Sequence, residues 1–201
     1  MGLVLFILHF NSYSNRTTPV ISFYPARPQG CTAPAWDCVY ADHAIEPKFN
    51  GWRMVIDQQE RKVFNRHGER AKYEGDILKT LGRTKIASRF LDCEWMGNRT
   101  KTGKNTLILI DVMEPLPYAE RRKFFSKIKP ASFELADNAL LRMPTFKHAR
   151  LKAIWEEMEF QNRKAGETIF EGFVMKKDDR YPTQTDPHSY CGQWHKMRIR
   201  E

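Results

Sequence analysis

Apolar residues in this chain occur either in short runs or in strict alternation, and both patterns predict strands. Trp52 to Asp57 and Lys62 to Asn65 flank the polar tetrapeptide Gln58-Gln59-Glu60-Arg61, which predicts a hairpin. Arg89 to Met96 alternates, with Asp92 and Glu94 on one face at period two. Thr106 to Val112 is a run of branched residues, expected as a buried strand and ended by Pro115 and Pro117. Thr168 to Lys176, broken by Gly172, and Gln193 to Ile199 predict two more strands. A period near 3.6 predicts helices over Asp76 to Leu81, Tyr118 to Ile128 and Phe146 to Gln161. The last of these sets Leu151, Ile154, Trp155 and Met158 on one stripe, expected to pack into the core. Asn11 to Asp42 is rich in Pro, Ser, Thr and Gly and reads as irregular, and Asp178 to Gly192 reads as a polar loop. Gly2 to Phe10 is expected as a buried strand or a frayed extension. It is too short to cross a bilayer and has no basic region before it, so neither a membrane span nor a signal peptide is expected. Mixed strands and helices in 201 residues predict one α+β domain.

The stretch Glu46-Pro47-Lys48-Phe49-Asn50-Gly51-Trp52-Arg53 stands at the entry to the first hairpin. Pro47 disfavours helix before it, so Lys48 is expected on a turn or strand end, with Gly51 allowing close approach to the backbone. A lysine is a nucleophile only as the neutral amine, which requires desolvation or a neighbouring cation, and Arg53 is the candidate neighbour. A solvated hairpin turn has the same composition. Elsewhere Glu94, Glu171, Lys196 and Arg198 sit inside apolar strands. Either they lie on exposed strand faces, or they share a pocket in which cations bind phosphate and carboxylates hold a divalent cation or a sugar hydroxyl. A formal net charge of +9 points to a polyanionic partner, nucleic acid above all. The four cysteines lack close metal-ligand spacing, and reduced thiols in a cytosol are expected.

The order of the polar motifs carries more than any one of them. Lys-x-Asn-Gly-x-Arg comes first, then Asn-Arg-x-Gly, Asp-x-Glu, Ile110-Asp111, Glu-Gly-Phe-Val-Met-Lys and Trp-x-Lys-x-Arg. This series, spanning residues 46 to 198, resembles the ATP-dependent polynucleotide (DNA) ligases. They belong to a superfamily of covalent nucleotidyltransferases that also holds RNA ligases and mRNA capping enzymes. The resemblance implies an ATP-grasp-like nucleotidyltransferase (adenylation) domain over residues 1 to 201, with residues 1 to 40 an irregular lead-in and the nucleotide bound between antiparallel sheets. Lys48 would attack the α-phosphorus of ATP, expel pyrophosphate and carry AMP. Glu46 matches a residue that reads the adenine amine, and Ile110 the position that packs on the base. Arg53 and Arg66 match arginines that hold phosphate or ribose. Glu94 matches an acid that binds the ribose and helps metal chemistry, and Glu171 a metal-binding acid, the metal being Mg2+ or Mn2+. Lys196 and Arg198 match two cations that grip the α-phosphate.

The implied partner is nicked duplex nucleic acid, bound by a monomer in the cytoplasm, or the host cytoplasm for a viral enzyme of DNA repair or replication. DNA is the expected substrate; an RNA or RNA–DNA joining ligase and a non-catalytic nucleic-acid-binding relic are the alternatives. Three positions depart from the family pattern: Asn50 stands for the usual aspartate, Ile110 for an aromatic and Arg198 for a lysine. Family ligases continue into an oligonucleotide-binding barrel, and none is expected here. Nick binding is therefore expected to fall to basic clusters at Arg99 to Lys104, Arg121 to Lys129 and Arg142 to Lys152.

Overall fold

The computed structural model describes residues 24–31, 41–182 and 184–199. Its strands are β1 (Pro28–Gly30), β2 (Ala44–Phe49), β3 (Trp52–Asp57), β4 (Lys62–Asn65), β5 (Phe90–Trp95), β6 (Leu107–Val112), β7 (Leu140–Arg142), β8 (Phe170–Lys176) and β9 (Cys191–Arg198). Helices are α1 (Glu74–Leu81), α2 (Tyr118–Lys123) and α3 (Leu151–Ala165), the last preceded by a 3-10 turn at His148–Arg150. One sheet has the order β1-β9-β8-β2 and the other β4-β3-β5-β6-β7. All neighbours run antiparallel except β1 with β9 and β6 with β7. The α+β expectation holds.

Alternation decides what each strand offers to each side. Leu91, Cys93 and Trp95 of β5 join Met54, Ile56 and Val63 against Ile77 and Leu81 of α1. Burying side chains of this size stabilises by about 1.5–3 kcal/mol each. The residues between them on β5, Asp92 and Glu94, therefore turn toward the other sheet. A second core joins Ile45 and Phe49 of β2, Phe170, Phe173 and Met175 of β8 and Ile108 and Ile110 of β6 to Leu151, Ile154 and Met158 of α3.

Three expected elements differ from those observed. The third helix begins at Leu151 rather than Phe146, because the Phe146 N–H instead donates to the Ile45 carbonyl at 2.8 Å. It ends at Gly166, whose left-handed backbone (φ 65°) suits glycine and caps the last turn. The basic helix is only Tyr118–Lys123 long, since Phe125 beyond it turns into the core. Pro28–Gly30, expected to be irregular, pairs with β9. The expected strand at Gly2 to Phe10 lies outside the described residues.

Candidate active site

A cavity of about 660 Å³ lies between the two sheets. All nine residues singled out from the sequence line it: Glu46, Lys48, Arg53, Arg66, Glu94, Ile110, Glu171, Lys196 and Arg198. They come from six strands and, for Arg66, from the turn after β4.

Lys48 is the penultimate residue of β2, an edge strand, where Pro47 interrupts no central ladder. Its Nζ donates to Glu171 Oε2 at 2.8 Å, and the two side chains are 23% and 16% exposed. Lys48 pairs across β8 with Gly172, which in turn pairs with Arg198. Gly172 has φ 132°, and a Cβ there would lie 2.0 Å from the Met197 carbonyl oxygen, so β9 reaches this register only beside a glycine. β9 thereby brings the Arg198 guanidinium to 3.4 Å from Glu171 Oε2, while Arg99 stands 4.0 Å from Oε1. Burial, then the positive charges of Arg198 and Lys48, push Lys196 below its ordinary range.

Glu94 Oε1 accepts the Gly51 N–H at 3.0 Å. A Cβ on Gly51 would lie 2.6 Å from the Trp95 carbonyl and 2.8 Å from Glu94 Cγ, so the glycine permits this approach. Burial raises the Glu94 carboxyl to about 7, with Lys48 and Arg53 pulling the other way and Glu171 adding to the rise. Two carboxylates thus share this end of the cavity. Among the described residues, no three His, Cys, Asp or Glu side chains converge into a closed metal shell. Two acids suit a hard divalent cation that keeps its water and takes its other ligands from phosphate. Asn50 faces away from this chemistry: its amide donates to the Thr168 carbonyl at 2.9 Å and ties β2 to the start of β8.

The inner end is organised by two aspartates. Asp92 and Asp111 are directly opposite on β5 and β6, and both are fully buried. Arg53 grips Asp92 through Nε (2.6 Å) and Nη2 (2.5 Å), and Tyr181 donates to the same carboxylate at 2.8 Å. Burial opposes the charge of Arg53, but Asp92 outweighs it and raises the arginine well above its ordinary value. Arg53 was expected to act as the cation beside Lys48; its charge is instead committed to Asp92. Asp111 accepts from Arg121 at 2.9 and 3.1 Å and from Lys176 at 3.3 Å. Lys176 also reaches Glu46 at 2.9 Å and lies 4.1 Å from the centre of the Trp194 ring. The other Glu46 oxygen accepts the Tyr118 hydroxyl at 2.6 Å, with Arg122 at 3.7 Å. Arg121 is fully buried and Arg122 partly buried against Glu46, which takes both away from the open basic surface expected at Arg121 to Lys129.

Ile110 lines the cavity together with Met143 and Val174, an aliphatic slot where an aromatic was the family pattern. Arg66 lies at the exposed rim, its Nε donating to His67 at 2.9 Å. Lys176 and Trp194 line the cavity without having been singled out. Both stood in quoted motifs, and the available signal was a lysine closing an apolar run.

No protein-family model matches the chain, and no curated protein matches it in sequence. Solved structures do share its fold. A Lig E DNA ligase, studied for DNA binding with a minimal scaffold, superposes with a TM-score of 0.54 at 12% identity, over 90% of this chain and 70% of that one. The ligase domain of M. tuberculosis LigD gives 0.53 at 18% identity, over 87% and 59%. Chlorella virus DNA ligase-adenylate gives 0.50 at 14%, over 87% and 67%. The chain thus spans about three fifths to seven tenths of the length of these proteins. In fold, this chain resembles the adenylation domain of ATP-dependent DNA ligases.

Proposed function

We propose that this chain is the catalytic core of an ATP-dependent polynucleotide ligase that seals nicks in duplex DNA. One observation carries the reading: the Lys48 amine lies 2.8 Å from Glu171 in a cavity that Lys196, Arg198 and Glu94 also line. The aliphatic slot of Ile110, Met143 and Val174 takes the adenine, with Glu46 at its polar edge. Lys48 attacks the α-phosphorus as its N–P bond forms and the bond to pyrophosphate breaks. Glu171 Oε2, which accepts a hydrogen bond from the Lys48 amine at 2.8 Å, takes the amine proton as the N–P bond forms. Lys196 and Arg198 stabilise the phosphate oxygens as charge builds. A divalent cation held by Glu94 and Glu171 would add charge neutralisation at the phosphates. The AMP then passes to a 5′-phosphate at the nick, and attack by the 3′-hydroxyl releases it. The DNA ligase names of the fold neighbours favour DNA over RNA.

Intact-mass measurement after incubation with ATP and magnesium tests the first step. The wild type should gain one AMP and Lys48→Ala none; an unmodified wild-type mass refutes the proposal. Sealing of nicked DNA, nicked RNA and hybrid duplexes tests the second part, with DNA expected to be joined fastest.

A further inference from the structure

Tyr181 belongs to the loop between β8 and β9, a segment whose sequence reads as a polar loop. Its ring is nonetheless buried, edge-on to Trp194 at 5.4 Å between centroids. The hydroxyl accepts the Ala26 N–H at 3.2 Å and donates to Asp92 Oδ2 at 2.8 Å. The side chain therefore reaches from the four-stranded sheet, where its loop begins and ends, to β5 of the other sheet. Asp92 in turn holds Arg53 by Nε and Nη2. Among the described residues, the third guanidinium nitrogen, Nη1, has no hydrogen-bond partner, and Arg53 lines the cavity.

We infer that Tyr181 is a positioning residue for the nucleotide site. By fixing the rotation of the Asp92 carboxylate, its hydroxyl fixes the plane of Arg53 and aims Nη1 at the bound nucleotide. This rests on the reading of the cavity as an ATP site. A buried carboxylate directly opposite a second one, Asp111, is repelled by it and needs donors to hold its orientation. Arg53 can swing with the carboxylate, whereas Tyr181 is anchored at ring and hydroxyl and cannot. It contributes to binding that is equal in ground and transition states, so its removal acts on affinity and spares the chemical step.

The test is the affinity of the full chain for α,β-methylene-ATP, which cannot release pyrophosphate, measured by calorimetry for wild type and Tyr181→Phe. The Kd should rise about five- to tenfold, the scale of one hydrogen bond lost from a buried charged network. Adenylylation at saturating ATP should stay within about twofold of wild type. An unchanged Kd overturns the inference and leaves the ligase reading intact. A fall in binding stoichiometry with Kd unchanged marks a merely structural role and also overturns it. If wild type binds but never takes up AMP, the ligase reading falls while a Tyr181 effect on Kd stands; if wild type does not bind, both fall. Should Tyr181→Phe fail to fold, Asp92→Asn must raise Kd by at least as much, because it also removes the charge that holds Arg53. In an Arg53→Lys background the Tyr181→Phe penalty should vanish, because a lysine offers no plane to orient.

Discussion

At the Asp92–Asp111 end of the cavity, buried charges face opposite charges: Arg53 on Asp92, Arg121 and Lys176 on Asp111, Lys176 on Glu46. At the Lys48 end, three cations share the one carboxylate of Glu171 within 4.0 Å, and Lys196 stands beside them with its affinity for protons lowered. Both ends contain lysines, arginines and acids of the same types. They differ in how nearly the charges balance inside the protein: with Arg122 on Glu46, four cations face three carboxylates at the inner end, whereas Lys48, Arg99, Arg198 and Lys196 face only Glu171 and Glu94 at the other. A balanced, dry network gives rigidity, because removing one member strands a buried charge. An unbalanced, half-open one stores a demand for anionic ligand, which triphosphate and nucleic-acid phosphates can meet. The adenylylation proposed for this cavity needs both: one end to fix the geometry, the other to receive charge.

The largest effect should come from breaking the balanced end. Asp111→Asn leaves Arg121 and Lys176 buried without a full counter-charge and should lower stability by about 3–5 kcal/mol, read as a loss of Tm and of denaturant midpoint. A change below about 1 kcal/mol would mean that the inner network tolerates imbalance and that the contrast between the ends is false.

The matching change at the open end should separate activity from stability. Glu171→Gln should slow AMP uptake about 100-fold, equivalent to roughly 2.7 kcal/mol, with Tm equal to or above wild type. Single-turnover mass spectrometry gives the rate, and a scanning melt gives the Tm.

Glu94 sharpens the comparison through pH. In the fold burial raises it to about 7, above the ordinary carboxyl value of 4.5 taken for the unfolded chain, so the folded state binds the proton more tightly than the unfolded one. The contribution is fully present below pH 4.5 and is lost as pH rises through 7, up to about 3 kcal/mol. Glu94→Gln should therefore match wild type near pH 4.5 and melt higher near pH 8, as measured by the difference between the two Tm-versus-pH curves. Parallel curves would place Glu94 outside the dry part of the cavity.

The smallest effect serves as the control. Lys164 and Glu134 form an exposed pair at 3.0 Å. Lys164→Ala should change stability by well under 1 kcal/mol and leave AMP uptake unaltered.

Much of the scaffold was legible because period-two and period-3.6 patterns reflect burial on one face, and burial is what strands and helices are selected for. The β3–β4 hairpin and the acids of β5 were read this way. The order of polar motifs carries the ligase resemblance, and that resemblance marked nine residues that line one cavity. Other features had no local signature. Pro28–Gly30 is a strand only because β9 offers it an edge. Arg121 and Arg122 look like solvated helix charges until Asp111 and Glu46 draw them inward. Tyr181 sits among Asp178, Asp179 and Arg180 in a loop that no periodicity marks as buried.

The linear pattern of apolar and polar residues thus determined the elements, the face each strand turns inward and the side chains available to the cavity. The tertiary structure alone decided which charges neutralise one another. Pairing depends on distances of 2.5–2.9 Å between residues as far apart in the chain as Arg53 and Asp92 or Glu46 and Lys176, and Coulomb energy falls with a separation that sequence does not encode.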